Sequence, residues 1–416
     1  MREKRPARRE FLRNGAALAG GFTLSAAAPA LGQQAPAQPP MIKGERQGEI
    51  AYGARSKYVT SARIPHGGRP SPDNFGLTFH VATPLQDQVG VITPSSLHYY
   101  ATTRGSFLPD IDPAKHTLMI HGLVDRPLTF TVDDLKRLPS VTRLHFIECA
   151  GNRASRRAKT VQETHGMTSN AEWTGVLLST LLKECGVKGS AKWFVAEGAE
   201  EVKGASSMPV AKAMDDCIIA YGMNGEAVRP QNGFPLRLMV PGFEGIFHTK
   251  WLQRIKLVDS YYMNYNDFGH LHQDKTEAAL AYQIGPKSVI TVPSGEQRLP
   301  GKGFYEIRGL AWSGGGAIKQ VEVSTDGGKK WNKAQFQGTP QRMAFCLFTY
   351  AWEWDGNETE IMSRCVDEVG QAQPTREQIA KHWNKTFDQT FSVPGLDNSV
   401  QPWRIAKDGS VTNGYA

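Results

Sequence analysis

Long apolar runs are missing from this sequence. No stretch approaches the roughly 20 consecutive apolar residues that a membrane-spanning helix needs, so no membrane anchor is expected. Cysteine is scarce too: the five, at 149, 185, 217, 346 and 365, stand apart, with neither a CxxC pair nor a CxxCH haem-attachment site. A flavin or nicotinamide fingerprint is also lacking, so redox chemistry on this chain would need another polypeptide to take its electrons. The basic excess is smaller than it looks. Of a formal net charge of +8, half lies in residues 1–13, where six Lys/Arg face Glu3 and Glu10. The remainder is spread thinly, which excludes the concentrated basic face that nucleic acid demands.

What is present begins with Arg8-Arg9-Glu10-Phe11-Leu12-Arg13, followed by a charge-free Ala/Gly-rich run from Asn14 to about Gly32. Paired arginines, Phe-Leu and a weakly apolar stretch in that order read as a twin-arginine export signal, so residues 1–30 are expected to be removed and the mature chain to reside in the periplasm. Residues 31–84 read as a tether and arm, with Gln, Pro and Ala dominating Gln33 to Pro40. An odd number of isolated cysteines is unusual in an oxidising compartment, which makes one of them a candidate ligand or reactive thiol. The twin-arginine route carries folded proteins, often with a cofactor already inserted, and so points the same way.

From about Leu85 to residue 273 strand and helix signals mix without regular alternation, an α+β pattern. Thr117–Val124 and Arg143–Cys149 read as strands, as do Lys192–Ala196, Cys217–Tyr221, Leu236–Val240 and Leu252–Val258. Val132–Leu138 reads as a short helix, and Leu177–Cys185 has helical spacing closed by Gly186. From residue 274 to 410 strands separated by Gly-rich turns predict an immunoglobulin-like β-sandwich, with a tight hairpin from Lys319 to Trp331 turning at Asp326-Gly327-Gly328. Trp312, Trp331, Trp352 and Trp354 suit its core and interface.

Phe146-Ile-Glu-Cys149-Ala-Gly151-Asn152-Arg153 ends a strand with a cysteine and then turns through small residues. A thiolate at a strand end beside a glycine is suited to a soft metal, although a lone cysteine is more commonly a packed core thiol. Cys185, Cys217, Cys346 and Cys365 take that commoner reading. His270 and His272, without Cys or carboxylate companions, read as exposed residues and not as a metal site.

Cys149-Ala-Gly-Asn-Arg153 resembles the molybdenum-ligand motif of the sulfite oxidase family. Three further stretches resemble that family in order: Thr93-Pro94 through Thr103-Arg104, Tyr221 through Asn232-Gly-Phe-Pro235-Leu-Arg237 to Lys250-Trp251, and Gly309 through Trp312 to Trp331. The resemblance implies one pyranopterin (molybdopterin) with molybdenum bound by Cys149, no haem on this chain, and a C-terminal dimerisation domain. By position it implies that Arg237 and Lys250 hold the pterin, with Asn232 and His248 beside them, and that Arg104 faces cofactor and substrate.

Departures from the family pattern bear on substrate. Asn232 replaces a histidine before Gly-Phe-Pro, and Ala154 replaces an arginine after Arg153, with Arg156 and Arg157 the nearest substitutes. The family's active-site tyrosine aligns with Phe268, or with Tyr265 if the gap is placed differently. A missing guanidinium about 4 Å from a dianion forfeits roughly 4 kcal/mol per unit charge at an effective dielectric near 20, which disfavours free sulfite. Within the family the chain is most similar to the molybdenum subunits of the sulfane dehydrogenases of bacterial thiosulfate oxidation, strongly so in Leu97–Gly105. That implies a sulfane sulfur on a sulfur-carrier protein as substrate and a c-type cytochrome subunit as acceptor. A sulfite dehydrogenase and a non-catalytic scaffold of the same fold are the alternatives, and the retained Arg104, Cys149, Arg237 and Lys250 argue against the scaffold.

Overall fold

Strand patterning dominates the described chain and helices are few and short. The computed structural model divides into two compact units, Met1–Ser61 and Ala62–Ala416. It describes residues 55–65, 80–101, 108–152, 155–200, 205–263, 282–391 and 397–416. The export signal and most of the tether, together with Arg104, Arg153, Ala154, Tyr265, Phe268, His270 and His272, lie outside the described residues. In the first unit the described stretch makes a turn, with the Val59 N–H donating to the Ser56 carbonyl at 3.0 Å.

In the second unit two five-stranded sheets precede the sandwich. One orders Leu128–Thr131, Thr117–Gly122, Leu252–Val258, Trp193–Gly198 and Ala205–Pro209, with Thr117–Gly122 and Leu252–Val258 running parallel. The other orders Glu226–Ala227, Ile218–Met223, Thr168–Leu177 and Val141–Glu148, with Arg237–Met239 pairing onto Ile218–Met223. The short helices start on capping boxes: the Thr131 hydroxyl caps Val132–Lys136, and Thr160 caps Val161–His165. Leu178–Cys185 ends on Gly186 at φ +70°, the left-handed stop its sequence predicts. Among the described residues no helix is long and apolar enough to cross a membrane.

The C-terminal part is an immunoglobulin-like sandwich. Its four-stranded sheet runs Lys287–Val292, Gly303–Trp312, Cys346–Trp354 and Gln335–Gln337. Its five-stranded partner runs Asn332–Lys333, Ile318–Ser324, Thr359–Asp367, Trp403–Ile405 and Val411–Asn413. Trp312, Phe348 and Trp403 fill the core, and Leu85, Phe146 and Val161 from the preceding part enter the same apolar cluster. The two parts are therefore cemented by shared burial.

The tight hairpin expected at Asp326-Gly327-Gly328 needs correction. Ile318–Ser324 does pair antiparallel, but its return is Asn332–Lys333, so the connection is the longer loop 325–331. The glycines still adopt positive φ, at 72° and 84°, while the Ser324 hydroxyl and the Asp326 carboxylate take up loop N–H groups at Gly328 and Lys330. Those side-chain acceptors replace the ladder bonds a tight turn would have made.

Candidate active site

Cys149 follows directly on the strand Val141–Glu148, whose register against Thr168–Leu177 ends at the Glu148–Thr168 pair. Beyond that point the chain turns. The Cys149 N–H still donates to the Met167 carbonyl at 3.0 Å, and the Cys149 carbonyl accepts from the Asn152 N–H at 2.9 Å. Gly151 lies over the sulfur, where a Cβ would meet Cys149 Sγ at 3.8 Å and Met167 Cε at 3.1 Å. All five cysteines are free, and only Cys149 is not fully buried. Burial pushes its thiol up to about 11, with Glu244 and Glu148 adding to the rise and the Gly151 N–H and Lys287 opposing it. A bound metal cation is what ionises such a thiol.

The turn is held by a buried polar network. Asn152 Nδ2 donates to Glu148 Oε1 at 2.9 Å, and Asn152 Oδ1 accepts from the Met167 N–H at 3.0 Å. Lys287 Nζ, from the first sandwich strand, reaches Glu148 Oε1 at 2.5 Å and the Asn152 carbonyl at 2.9 Å. Trp312 Nε1 donates to Glu148 Oε2 at 2.6 Å.

A second group of residues collects beside this turn. The loops 229–236 and 248–252 are zipped by backbone bonds from Leu252 to Leu236 and from Trp251 to Gly233, which brings Asn232, Arg237 and Lys250 together. Gly233, at φ +114°, sits against Lys250, whose Cα would lie 3.0 Å from a Cβ there. Arg237 is buried, donates to the Asn232 carbonyl at 2.8 Å, and lies over the Trp173 ring at 5.4 Å. Lys250 Nζ donates to the Ala101 carbonyl at 2.6 Å and lies over the Trp251 ring at 4.3 Å. Burial pushes Lys250 down to about 7, with the Arg237 charge adding to the fall and Glu200 opposing it. Arg237 itself is pushed down to about 10 by burial.

The buried Arg237 and the half-buried Lys250 thus repel one another, and polar atoms around them lack partners among the described residues. Arg237 Nε, Asn232 Oδ1 and His98 Nε2 are buried without a hydrogen-bond partner. His98 donates from Nδ1 to the Tyr99 carbonyl at 2.7 Å, which leaves Nε2 as an acceptor, and burial holds the ring neutral by pushing it down to about 3. Native interiors seldom leave such groups unsatisfied unless a ligand completes them. The set fits a phosphate-bearing, hydrogen-bonding cofactor such as molybdopterin: two cations for the phosphate, donors and acceptors for the ring, and a soft sulfur at Cys149. Among the described residues no three His, Cys, Asp or Glu side chains converge as a metal cage.

Tyr99 and Trp173 link the two groups, packing in one cluster with Met167 and against Cys149. His98 stacks on Tyr99 and meets Trp173 edge-on, each at 5.8 Å. His248, expected beside the pterin, accepts from the Val240 N–H at Nδ1 and donates from Nε2 to the Phe243 carbonyl. Its ring braces the loop 240–248, so a cofactor contact from this residue would come from its backbone. Sequence reasoning gave no role to His98, Glu148 or Lys287. His98 lay inside a motif-bearing segment, which was a usable signal, whereas nothing in the sequence marks Lys287.

Comparisons with known proteins agree with this geometry. A family model for the oxidoreductase molybdopterin binding domain matches residues 105–266, and one for the Mo-co oxidoreductase dimerisation domain matches residues 278–386. An NADH nitrate reductase of Brassica napus is 33% identical over 337 residues, covering 69% of this chain and 36% of that protein. Mouse mitochondrial sulfite oxidase is 31% identical over 337 residues, covering 71% of this chain and 59% of that one. The chain therefore spans only about a third of the nitrate reductases it resembles. The crystal structure of the sulfane dehydrogenase SoxCD from Paracoccus pantotrophus is similar at a TM-score of 0.78 and 34% identity, covering 91% of this chain and 99% of that one. The chain belongs to the sulfite oxidase family of molybdopterin oxidoreductases, with a molybdopterin-binding domain followed by that family's dimerisation domain.

Proposed function

We propose that this chain is the molybdenum subunit of a periplasmic sulfane dehydrogenase. Its substrate is a sulfane sulfur carried on a cysteine of a carrier protein, its electron acceptor a c-type cytochrome subunit, and its own copies pair through the C-terminal domain. One observation carries the reading: the likeness to the sulfane dehydrogenase chain runs over 99% of that chain, whereas the nitrate reductase and sulfite oxidase likenesses cover a part of theirs.

When bound, the molybdenum–pterin group would supply oxo-transfer chemistry and a two-electron redox capacity. The chain's own residues do the rest. Cys149 would hold the metal through Sγ. Arg237 and Lys250 would neutralise the pterin phosphate, and the unpartnered Asn232 Oδ1 and His98 Nε2 would accept hydrogen bonds from the group. Trp173 and Tyr99 keep water from the buried side of the site. By the family resemblance, Arg104 and either Tyr265 or Phe268, which lie outside the described residues, would meet the substrate. A carrier-bound sulfur needs an open approach more than a cage of cations, which accords with Ala154 at the position of a family arginine.

Free sulfite is the second reading, supported by the likeness to mouse sulfite oxidase. The two separate in steady-state kinetics of the exported holoenzyme, with a persulfidated carrier protein or sulfite as donor and a c-type cytochrome as acceptor. Cytochrome reduction should respond to the carrier and only weakly to sulfite. Efficient sulfite oxidation without response to the carrier would transfer the assignment to sulfite, and turnover of neither by molybdenum-free protein would leave the scaffold. In cell fractionation, Arg8→Lys with Arg9→Lys should strand the precursor in the cytoplasm, and an equal periplasmic yield would remove twin-arginine export.

A further inference from the structure

The dimerisation domain reaches into the metal-binding turn. Glu148 and Asn152 stand one residue before and three after Cys149, and each is 1% exposed. Their partners Lys287, 3% exposed, and Trp312, fully buried, belong to two neighbouring strands of the sandwich. The contacts are saturated: Glu148 Oε1 accepts from Lys287 and Asn152, Oε2 accepts from Trp312, and Lys287 caps the Asn152 carbonyl. A cleft beside the turn is lined from both sides, by Cys149 and Ala150 of one domain and by Lys287 and Asp397 of the other.

Such a network does more than join domains. Glu148 ends the strand, so fixing its side chain fixes where the next residue leaves the sheet. Asn152 closes the turn on the other side by binding both Glu148 and the Met167 N–H. With both ends held, the backbone at Cys149 is fixed, and with it the direction in which its Cα–Cβ bond leaves the chain.

We infer that Lys287, through Glu148, is a positioning residue for the molybdenum thiolate, so that the sandwich domain completes the active site as well as serving dimerisation. The inference rests on Cys149 being the metal ligand. Groups that orient a metal ligand from outside its coordination shell typically carry a 10- to 100-fold share of activity or metal affinity.

The test compares holoenzymes of wild type, Lys287→Met, Lys287→Arg, Trp312→Phe and Cys149→Ser by molybdenum content, X-ray absorption at the molybdenum edge, and kinetics. Cys149→Ser is the reference for a centre with one sulfur ligand fewer. Lys287→Met should retain pterin-bound molybdenum, show a weakened or lengthened metal–sulfur shell lying toward that reference, and lose roughly 10- to 100-fold in kcat with little change in KM. Lys287→Arg should recover part of both. Trp312→Phe, which removes one hydrogen bond and keeps the ring packing, should move the same readouts less far, and it stands in if Lys287→Met does not fold. A wild-type metal–sulfur shell and kcat in Lys287→Met, or in Trp312→Phe standing in for it, would overturn the inference and leave the network a purely structural joint. A wild-type sulfur shell in Cys149→Ser would instead overturn the ligand assignment beneath it.

Discussion

Two charged regions of the candidate active site are built on opposite principles. In the turn around Cys149 every charge has its partner: Lys287 meets Glu148, and Glu148 spends both oxygens on protein donors. In the cradle formed by Asn232, Arg237 and Lys250, a buried and a half-buried cation lie close together, and polar atoms go without partners among the described residues. A saturated network fixes geometry, because any movement breaks bonds that burial makes expensive to lose. An unsaturated one stores binding capacity, because a ligand that satisfies it removes a penalty already present in the fold. The contrast assigns positioning to the first region and cofactor retention to the second.

The sharpest way to break this contrast is at the sulfur itself. Cys149→Ser replaces a soft donor with a hard, scarcely ionised hydroxyl while leaving the cradle whole. Turnover should fall by more than the ~100-fold typical of losing an outer-shell partner, with the cofactor still present by molybdenum and pterin analysis. Turnover at the wild-type rate would remove Cys149 from the centre.

Next in size comes a difference of sign. Lys287→Met leaves the Glu148 side chain buried without its cation, and stranding one member of a buried pair costs about 3–5 kcal/mol of stability. Arg237→Met removes a buried cation that has no carboxylate partner among the described residues, so the cofactor-free protein should keep or gain stability while losing its capacity to retain pterin. Thermal unfolding of the cofactor-free forms, set beside pterin content of the loaded ones, checks both. A loss of cofactor-free stability in Arg237→Met equal to that in Lys287→Met would show that the cradle is structural after all.

Legibility in the sequence followed the same divide. The strand ending at Cys149, the Gly186 stop, and the convergence of Asn232, Arg237 and Lys250 could be read from local pattern and motif, because each depends on neighbours close in the chain or on a recognisable run. Lys287 could not. It lies 139 positions from its partner Glu148, and a lysine at a strand start reads as solvated until the fold buries it. Trp312 was legible as sandwich core, but its indole N–H reaching Glu148 was not. The His248 ring, placed by resemblance beside the cofactor, turns out to brace its own loop.

A smaller effect follows from Lys250, whose ammonium burial pushes down to about 7. In the cofactor-free protein between pH 7 and the ordinary lysine range, this side chain is neutral when folded and charged when unfolded. The unfolded state then binds more protons, so stability rises with pH, by about 1 kcal/mol between pH 7 and 8. Lys250→Met should flatten that rise in thermal unfolding followed across pH. The affinity of the cofactor-free protein for inorganic pyrophosphate should move the other way, weakening above pH 7 as the cation is lost. A stability profile unchanged by Lys250→Met would place the titrating group elsewhere.

The least disruptive change tests the cradle by shape alone. Gly233 has φ +114°, where a side chain is strained, and an added Cβ would lie 3.0 Å from Lys250 Cα, 3.1 Å from its Cβ and 3.2 Å from its Cγ. These contacts are too close to leave Lys250 in place. Gly233→Ala alters no charge and no hydrogen-bonding group, so whatever it does must come through backbone strain and displacement of the Lys250 stem. Strain of this kind costs on the order of 1–3 kcal/mol, and it falls on the residue whose ammonium is bonded to the Ala101 carbonyl. The saturated turn around Cys149, whose hydrogen bonds among the described residues do not involve Gly233, should keep its geometry. Loaded enzyme should therefore lose pterin faster on dilution while the molecules that retain it turn over at nearly the wild-type rate, a separation seen by plotting activity against molybdenum content during cofactor loss. Proportional decline along the wild-type line means that the cradle only retains the cofactor; activity per molybdenum falling as well would mean that the two regions are coupled and the contrast between them is too sharply drawn.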